Sequence, residues 1–368
     1  MAVIRIVTTF SSRLTFLLLI GSVGLVNAER FVCYFSSFAT QRSGEYKFET
    51  ADIPVSLCTH VVYDHFEINF FSKNFRPSKL PWQKFSELKR IKPDLKLLLS
   101  VLEVADDSTS RKTLIGNIIQ YVEWMKVDGV ELFWSGGNGQ MYFTMVQELQ
   151  SSFVAAGHPT WEVDVLVPID KAVVDHARLC RLVDFVHVLG IGERKPRYHD
   201  NSSTPTAKTT LDVGKHKNVT LERALEHLID ANCPANKIVL VVILFAQTYT
   251  LGNVNTRDRP KELTTFCNLT RGSPYCAYVE ICQKFNESEW TLGSDDTERF
   301  APHAIQGNTW VAYENEASIG QKGEIARRKN LAGVYVFSLD LDDYRGKCGK
   351  LYPLTTALSS SFRGTTID

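Results

Sequence analysis

Lys237-Ile-Val-Leu-Val-Val-Ile-Leu244 is an almost unbroken aliphatic, β-branched run. A strand with one wetted face alternates apolar and polar residues. A short run without alternation signals a strand buried on both faces, as in a parallel sheet covered by helices. Lys96-Leu-Leu-Leu-Ser100 has the same character. With these two, taken as Lys237–Leu244 and Lys96–Val101, further strand-like runs at Phe31–Ser36, Thr59–Asp64, Gly129–Trp134, Glu162–Val167, Phe185–Gly190 and Gly333–Ser338 bring the number to eight. Amphipathic stretches such as Gln140–Ala155 and Leu221–Ala231 lie between most of them. Eight strand–helix alternations predict an α/β fold, a (β/α)8 TIM barrel. The gap between the seventh and eighth runs is too long for one crossover. Residues from about 250 to 315 are therefore expected to form an α+β insertion between strand seven and its following helix.

The 368 residues suit one large barrel or two ordinary domains, and the 44% hydrophobic and 22% charged fractions are those of a globular protein. Lys+Arg and Asp+Glu balance at 41 each, so no global field selects nucleic acid or an anionic membrane as partner. Arg5 and Arg13 precede the apolar run Leu14–Val26, and Val26-Asn27-Ala28 has the small-residue pattern of a cleavage site. Residues 1–28 are read as a secretory signal peptide, and 29–368 as the barrel domain. No later stretch is long and apolar enough to span a bilayer, which takes about 20 residues. Secretion turns the eight cysteines toward disulfides, and their spacings match no zinc pattern. Sequons mark Asn201, Asn218, Asn268 and Asn286 as candidate glycosylation sites. No cofactor or metal is called for.

The C-terminal part carries the most specific motifs. Gly307-Asn-Thr-Trp-Val-Ala-Tyr313 is followed by Gly333-Val-Tyr-Val-Phe-Ser-Leu-Asp-Leu-Asp-Asp343, then Cys348-Gly349 and Tyr352-Pro353-Leu354. Phe31-Val-Cys-Tyr34, Leu57-Cys-Thr-His60, Lys237-Ile-Val-Leu240 and Tyr278-Val-Glu-Ile-Cys282 add to the series, in order, from about residue 30 to about residue 358. The series resembles the glycoside hydrolase family 18 chitinases and their chitinase-like relatives. The resemblance implies the barrel with its insertion after strand seven, and disulfides Cys33–Cys58 and Cys282–Cys348. Cys180 with Cys233, and Cys267 with Cys276, is a further assignment that thiol mapping can overturn.

The family's catalytic strand reads Asp-Gly-x-Asp-x-Asp-x-Glu; here it is Asp128-Gly-Val-Glu131-Leu-Phe133-Trp-Ser135. Residues 131, 133 and 135 share the inward face, with 135 at the C-terminal mouth where barrel active sites form. In the family the glutamate at 135 protonates the leaving oxygen. The substrate's own acetamide is the nucleophile, steadied by the aspartate at 133. A serine hydroxyl does not release its proton near neutral pH, and a phenyl ring cannot stabilise a cation by charge. Glu131 lies roughly 13 Å deeper than position 135. Glu103, after strand three, is the better candidate for a relocated acid. His187 and Glu131 stand at equal depth on alternate strands and are expected to form a buried structural pair. His65 beside Ser135 would mimic a nucleophile–base pair, but no third member is evident.

The resemblance places further changes around the mouth. Leu189-Gly-Ile191-Gly192 replaces Met-x-Tyr-Asp, and Phe245-Ala-Gln247 replaces Tyr-Gly-Arg. Phe337 and Phe38 each replace a tryptophan, while Tyr34 is kept. Tyr34, Phe38, Glu103, Trp134 and Phe337 are the candidate sugar-binding residues, since sugar rings stack on aromatic faces. Three functions are weighed: a secreted non-catalytic protein with an extracellular receptor or immune role, a lectin for chitin or chito-oligosaccharides, and a glycosidase with a relocated acid.

Overall fold

The computed structural model describes residues 30–64, 82–102, 105, 107–133, 139–169, 175–190, 196–197, 206–207, 211–213, 216–251, 261–262, 266–267, 275–293 and 302–365. Eight parallel strands close a barrel: β1 (Arg30–Phe35), β2 (His60–Tyr63), β3 (Lys96–Val101), β4 (Gly129–Phe133), β5 (Glu162–Pro168), β6 (Val186–Leu189), β7 (Ile238–Ile243) and β8 (Gly333–Phe337). Each strand pairs with its sequence neighbours, and β8 returns to β1 with Tyr335 opposite Val32.

Helices α1 (Ser108–Met125), α2 (Gly139–Ala155), α3 (His176–Leu182) and α4 (Leu221–Asp230) follow β3, β4, β5 and β6. Two short helices, Trp82–Ser86 and Leu88–Ile91, precede β3, and only 3₁₀ turns are formed between β1 and β2. The helix ends are set locally. Asp107 accepts from the backbone N–H groups of Thr109 and Ser110, and Thr220 from that of Arg223, so orphan donors at two helix starts are satisfied.

Between β7 and helix α6 (Glu316–Arg328) lies a separate antiparallel sheet. Its strands run from Ala246–Thr250 to Thr309–Ala312, and helix α5 (Tyr278–Glu287) packs among them. Helix α7 (Pro353–Arg363) ends the fold, with Pro353 in its first turn and Gly364 at the left-handed C-cap.

Two apolar layers result. The outer one fills the space between strands and helices. The inner one occupies the barrel: Val32, Tyr34, Val62, Leu98, Leu166, Val239, Val241 and Tyr335. Strand alternation divides the layers, so 131 and 133 on β4 turn inward while 130 and 132 face the helices. Gly129 permits the tight β4–β5 approach: a Cβ there would stand 2.1 Å from the Glu162 carbonyl oxygen.

Candidate functional site

Strand β4 begins on a structural carboxylate. Asp128 accepts from the Leu97 backbone N–H at 2.8 Å and from Lys89 Nζ at 2.6 Å, at the N-terminal end of β4, far from the mouth. It pins β4 to β3.

Glu131 is fully buried inside the barrel. His187 Nδ1 lies 2.5 Å from its Oε2, and the Tyr335 hydroxyl donates to its Oε1 at 3.3 Å. The other imidazole nitrogen of His187 is 3.1 Å from Asp164 Oδ2. Arg30 Nη2 donates to that same oxygen at 2.7 Å and to Glu162 Oε1. The guanidinium also lies over the Phe185 ring, 3.7 Å from its centroid. His60 Nε2 closes the chain, 3.7 Å from Glu162 Oε2. A ladder of charge thus runs up the barrel axis through residues from β1, β2, β4, β5, β6 and β8.

Its titration follows from its geometry. Burial alone would strip the proton from His187, but two flanking carboxylates outweigh it and raise the imidazolium to about 9. Burial pushes the Asp164 carboxyl up to about 7, against the opposing pull of Arg30. Glu162 is drawn down by His60 and Arg30 despite its burial. Burial drops His60 to about 4, so it is neutral at physiological pH. Every member is paired with another member, and all but the partly exposed Glu162 are buried. The arrangement supports the barrel.

Above the ladder the interior becomes apolar. Phe133, Leu189 and Phe337 are half-buried and pack on the inner cluster. Tyr34 and Phe337 rings meet at 4.5 Å between centroids, and Tyr34 is 4% exposed. Phe38 stands apart, 55% exposed. Phe245 turns its ring against Tyr275, 4.7 Å away, and Gln247 sits in the insertion sheet opposite Ala312. Trp134, Ser135, Glu103, His65, Ile191, Gly192, Asn201 and Asn268 lie outside the described residues. Asn286 is exposed in the last turn of α5, and Asn218 lies on the strand His216–Val219.

Disulfides join Cys33 to Cys58, Cys180 to Cys233, Cys267 to Cys276 and Cys282 to Cys348. Asp343 approaches the last pair, but those sulfurs are bonded to each other and the carboxylate accepts from the Lys347 and Cys348 backbone N–H groups. That donor set does not suit a metal.

Two groups escape a reading of the sequence alone. Arg30, Glu162 and Asp164 complete the ladder that Glu131 and His187 begin. A signal is present: acids at 162 and 164 fall on one face of an otherwise apolar strand. Asp64, just beyond β2, is fully buried and held by Ser36 and Ser37. Ser36 is 28 residues away in sequence, and no local pattern links the two.

A closed eight-stranded parallel barrel, with an antiparallel sheet inserted after the seventh strand, defines the architectural class of this chain. The chain belongs to the glycosyl hydrolases family 18, whose sequence pattern matches residues 30–342. It is 26% identical to an endochitinase of Manduca sexta, over 92% of this chain and 68% of that protein. It is also 26% identical to chitinase-3-like protein 2 of Homo sapiens, over 91% of this chain and 93% of that one. Among solved structures, human YKL-39, described as a pseudo-chitinase with retained chitooligosaccharide binding properties, superposes with a TM-score of 0.76 at 22% identity, covering 91% of this chain and all of that one.

Proposed function

We propose that this chain is a secreted, glycosylated chitinase-like protein without glycosidase activity, acting outside the cell by binding a protein receptor in signalling or immune modulation. Phe133 carries the reading. At the inward position where the family mechanism requires a carboxylate, a phenyl ring packs on the inner apolar cluster. The substrate-assisted reaction builds positive charge on the acetamide, and nothing at 133 can balance it. Ser135, the residue at the position of the acid, cannot protonate the leaving oxygen. Hydrolysis of a fluorogenic chito-oligosaccharide by the purified protein, abolished by Glu103→Gln, would refute the reading and identify a relocated acid.

A second reading is a lectin for chito-oligosaccharides. It draws on the exposed face of Phe38 and the half-buried ring of Phe337, and on the binding described for YKL-39; Tyr34, expected from the sequence to face the sugar, is 4% exposed and packs beneath Phe337 instead. Titration with chitotetraose to millimolar concentration tests it directly. No heat and no spectral change at saturating sugar removes the lectin from consideration.

A further inference from the structure

Asp64 continues the inward alternation of His60 and Val62 past the end of β2, and it is fully buried. A bare carboxylate in such a place is costly unless several donors converge on it. Here three consecutive residues supply them. The Ser37 hydroxyl donates to Oδ1 at 2.5 Å, the Ser36 hydroxyl donates to Oδ2 at 3.0 Å, and the backbone N–H of Phe38 also bonds the carboxylate. The Asp64 backbone N–H in turn donates to the Phe35 carbonyl at 3.1 Å.

These bonds fix the start of the 3₁₀ turn Ser37–Gln41. Its far end is fixed as well. Arg42 Nη2 donates to Asp340 Oδ2 at 2.5 Å and Arg42 Nη1 to the Asp340 carbonyl at 3.3 Å. Asp340 also accepts from the Ser338 hydroxyl at 2.6 Å, next in sequence to Phe337. One polar frame therefore anchors both the turn carrying Phe38 and the strand end carrying Phe337. Within the turn, Ser37 and Ala39 are fully buried while Phe38 between them is 55% exposed. The backbone is clamped on either side of an outward aromatic ring.

We propose that Asp64 is a positioning residue for chito-oligosaccharide binding: it clamps the Ser37–Gln41 turn so that the Phe38 ring meets an N-acetylglucosamine unit at a set angle. The proposal rests on the lectin reading, and its test separates the two. Exposed aromatic platforms gain affinity from being held still, because the bound sugar then does not have to order them. Asp64 touches no sugar itself and acts through the turn.

The test uses Phe38→Trp as a reporter in the full chain, with Asp64 intact, with Asp64→Ala and with Asp64→Asn. Anisotropy and acrylamide quenching of the introduced indole, taken as the difference from the Phe38 parent, report the turn without any sugar present. Chitotetraose titration reports binding. With Asp64→Ala, the reporter indole becomes more mobile and more quenchable, and the chitotetraose Kd rises about tenfold, equivalent to ~1.4 kcal/mol. Asp64→Asn, which keeps an acceptor oxygen, recovers part of both signals. If Asp64→Ala does not fold, Ser37→Ala serves in its place, since it removes one donor and leaves the carboxylate two others. A folded variant in which the reporter signal is unchanged overturns the positioning role. A change in the reporter with no sugar binding by any form retires the lectin reading and, with it, the sugar as the purpose of the clamp.

Discussion

His187→Leu removes the cation that stands between Glu131 and Asp164. The imidazole bridges the two at 2.5 and 3.1 Å, and all three groups are fully buried. With leucine in its place, Glu131 keeps, among the described residues, only the long bond from Tyr335, and Asp164 keeps Arg30 and the Phe185 backbone N–H. The cost can be approached from two sides. The rise of His187 from 6.5 to about 9 is worth about 3 kcal/mol at 1.36 kcal/mol per unit. Breaking a buried pair by removing one partner typically costs about 3–5 kcal/mol. At about 2 °C per kcal/mol for a domain this large, Tm falls by roughly 6–10 °C.

The pH dependence gives the sharper test. A raised imidazolium contributes its full stability below 6.5 and loses it as the pH climbs through about 9. Asp164 works in the same direction: its buried carboxyl costs nothing below 3.8, and the cost grows until about 7. The parent protein should lose stability from mildly acid to alkaline pH. The part of the gap that depends on the His187 proton is full at pH 6.5 and lost by about pH 9.5, so the gap between parent and variant should be clearly smaller there, where the neutral imidazole keeps only its hydrogen bond to Glu131. Calorimetry or urea melts at both pH values measure it, and Glu131→Gln combined with His187→Leu should cost less than His187→Leu alone. A gap that is the same at both pH values, or below about 1 kcal/mol at pH 6.5, refutes the charged-ladder argument.

Restoring Phe133→Asp and Ser135→Glu together should leave the protein without measurable chito-oligosaccharide turnover, because Ile191, Gly192 and Phe337 stand where the family resemblance puts the groups that hold the sugar; activity in that variant would show that the acid pair alone was limiting. Phe133→Asp by itself should destabilise the barrel by about 2–4 kcal/mol in a urea melt at neutral pH, since it presses an unpaired carboxylate against the inner cluster. Phe337→Ala should cost about 2–3 kcal/mol by the same assay, through the lost contact with Tyr34 and the cavity left behind. Alkylation of the unreduced, denatured protein should modify no cysteine, consistent with the four bridges.

The strands are legible because burial on both faces imposes one composition on them. Lys96–Val101 has the same limits in sequence and structure, and the run from Lys237 contains β7. The gap ahead of the eighth strand exposes the insertion by length alone. The ladder is only half legible. Glu131 and His187 can be paired by counting residues down from the mouth. Arg30, in contrast, reaches from β1 across the barrel interior to Asp164 on β5, a sequence separation of 134. Such a contact exists only once the cylinder closes, and no window along the chain contains it. Asp64 is hidden in the same way. It ends an apolar strand like an ordinary turn residue, and its burial depends on serines that follow another strand.

The Cys282–Cys348 bridge makes residues 282 to 348 a covalent ring. That ring threads through the second half of α5, later strands of the inserted sheet, α6 and finally β8, the stave that closes the cylinder against β1. The insertion is therefore not a detachable ornament. A single cut by a protease between Cys282 and Cys348 would leave two polypeptides that still travel together until reductant is added. Evolutionary or engineered deletion of the insert would open the ring and release the closing stave from a tether worth about 4 kcal/mol in unfolded-chain entropy.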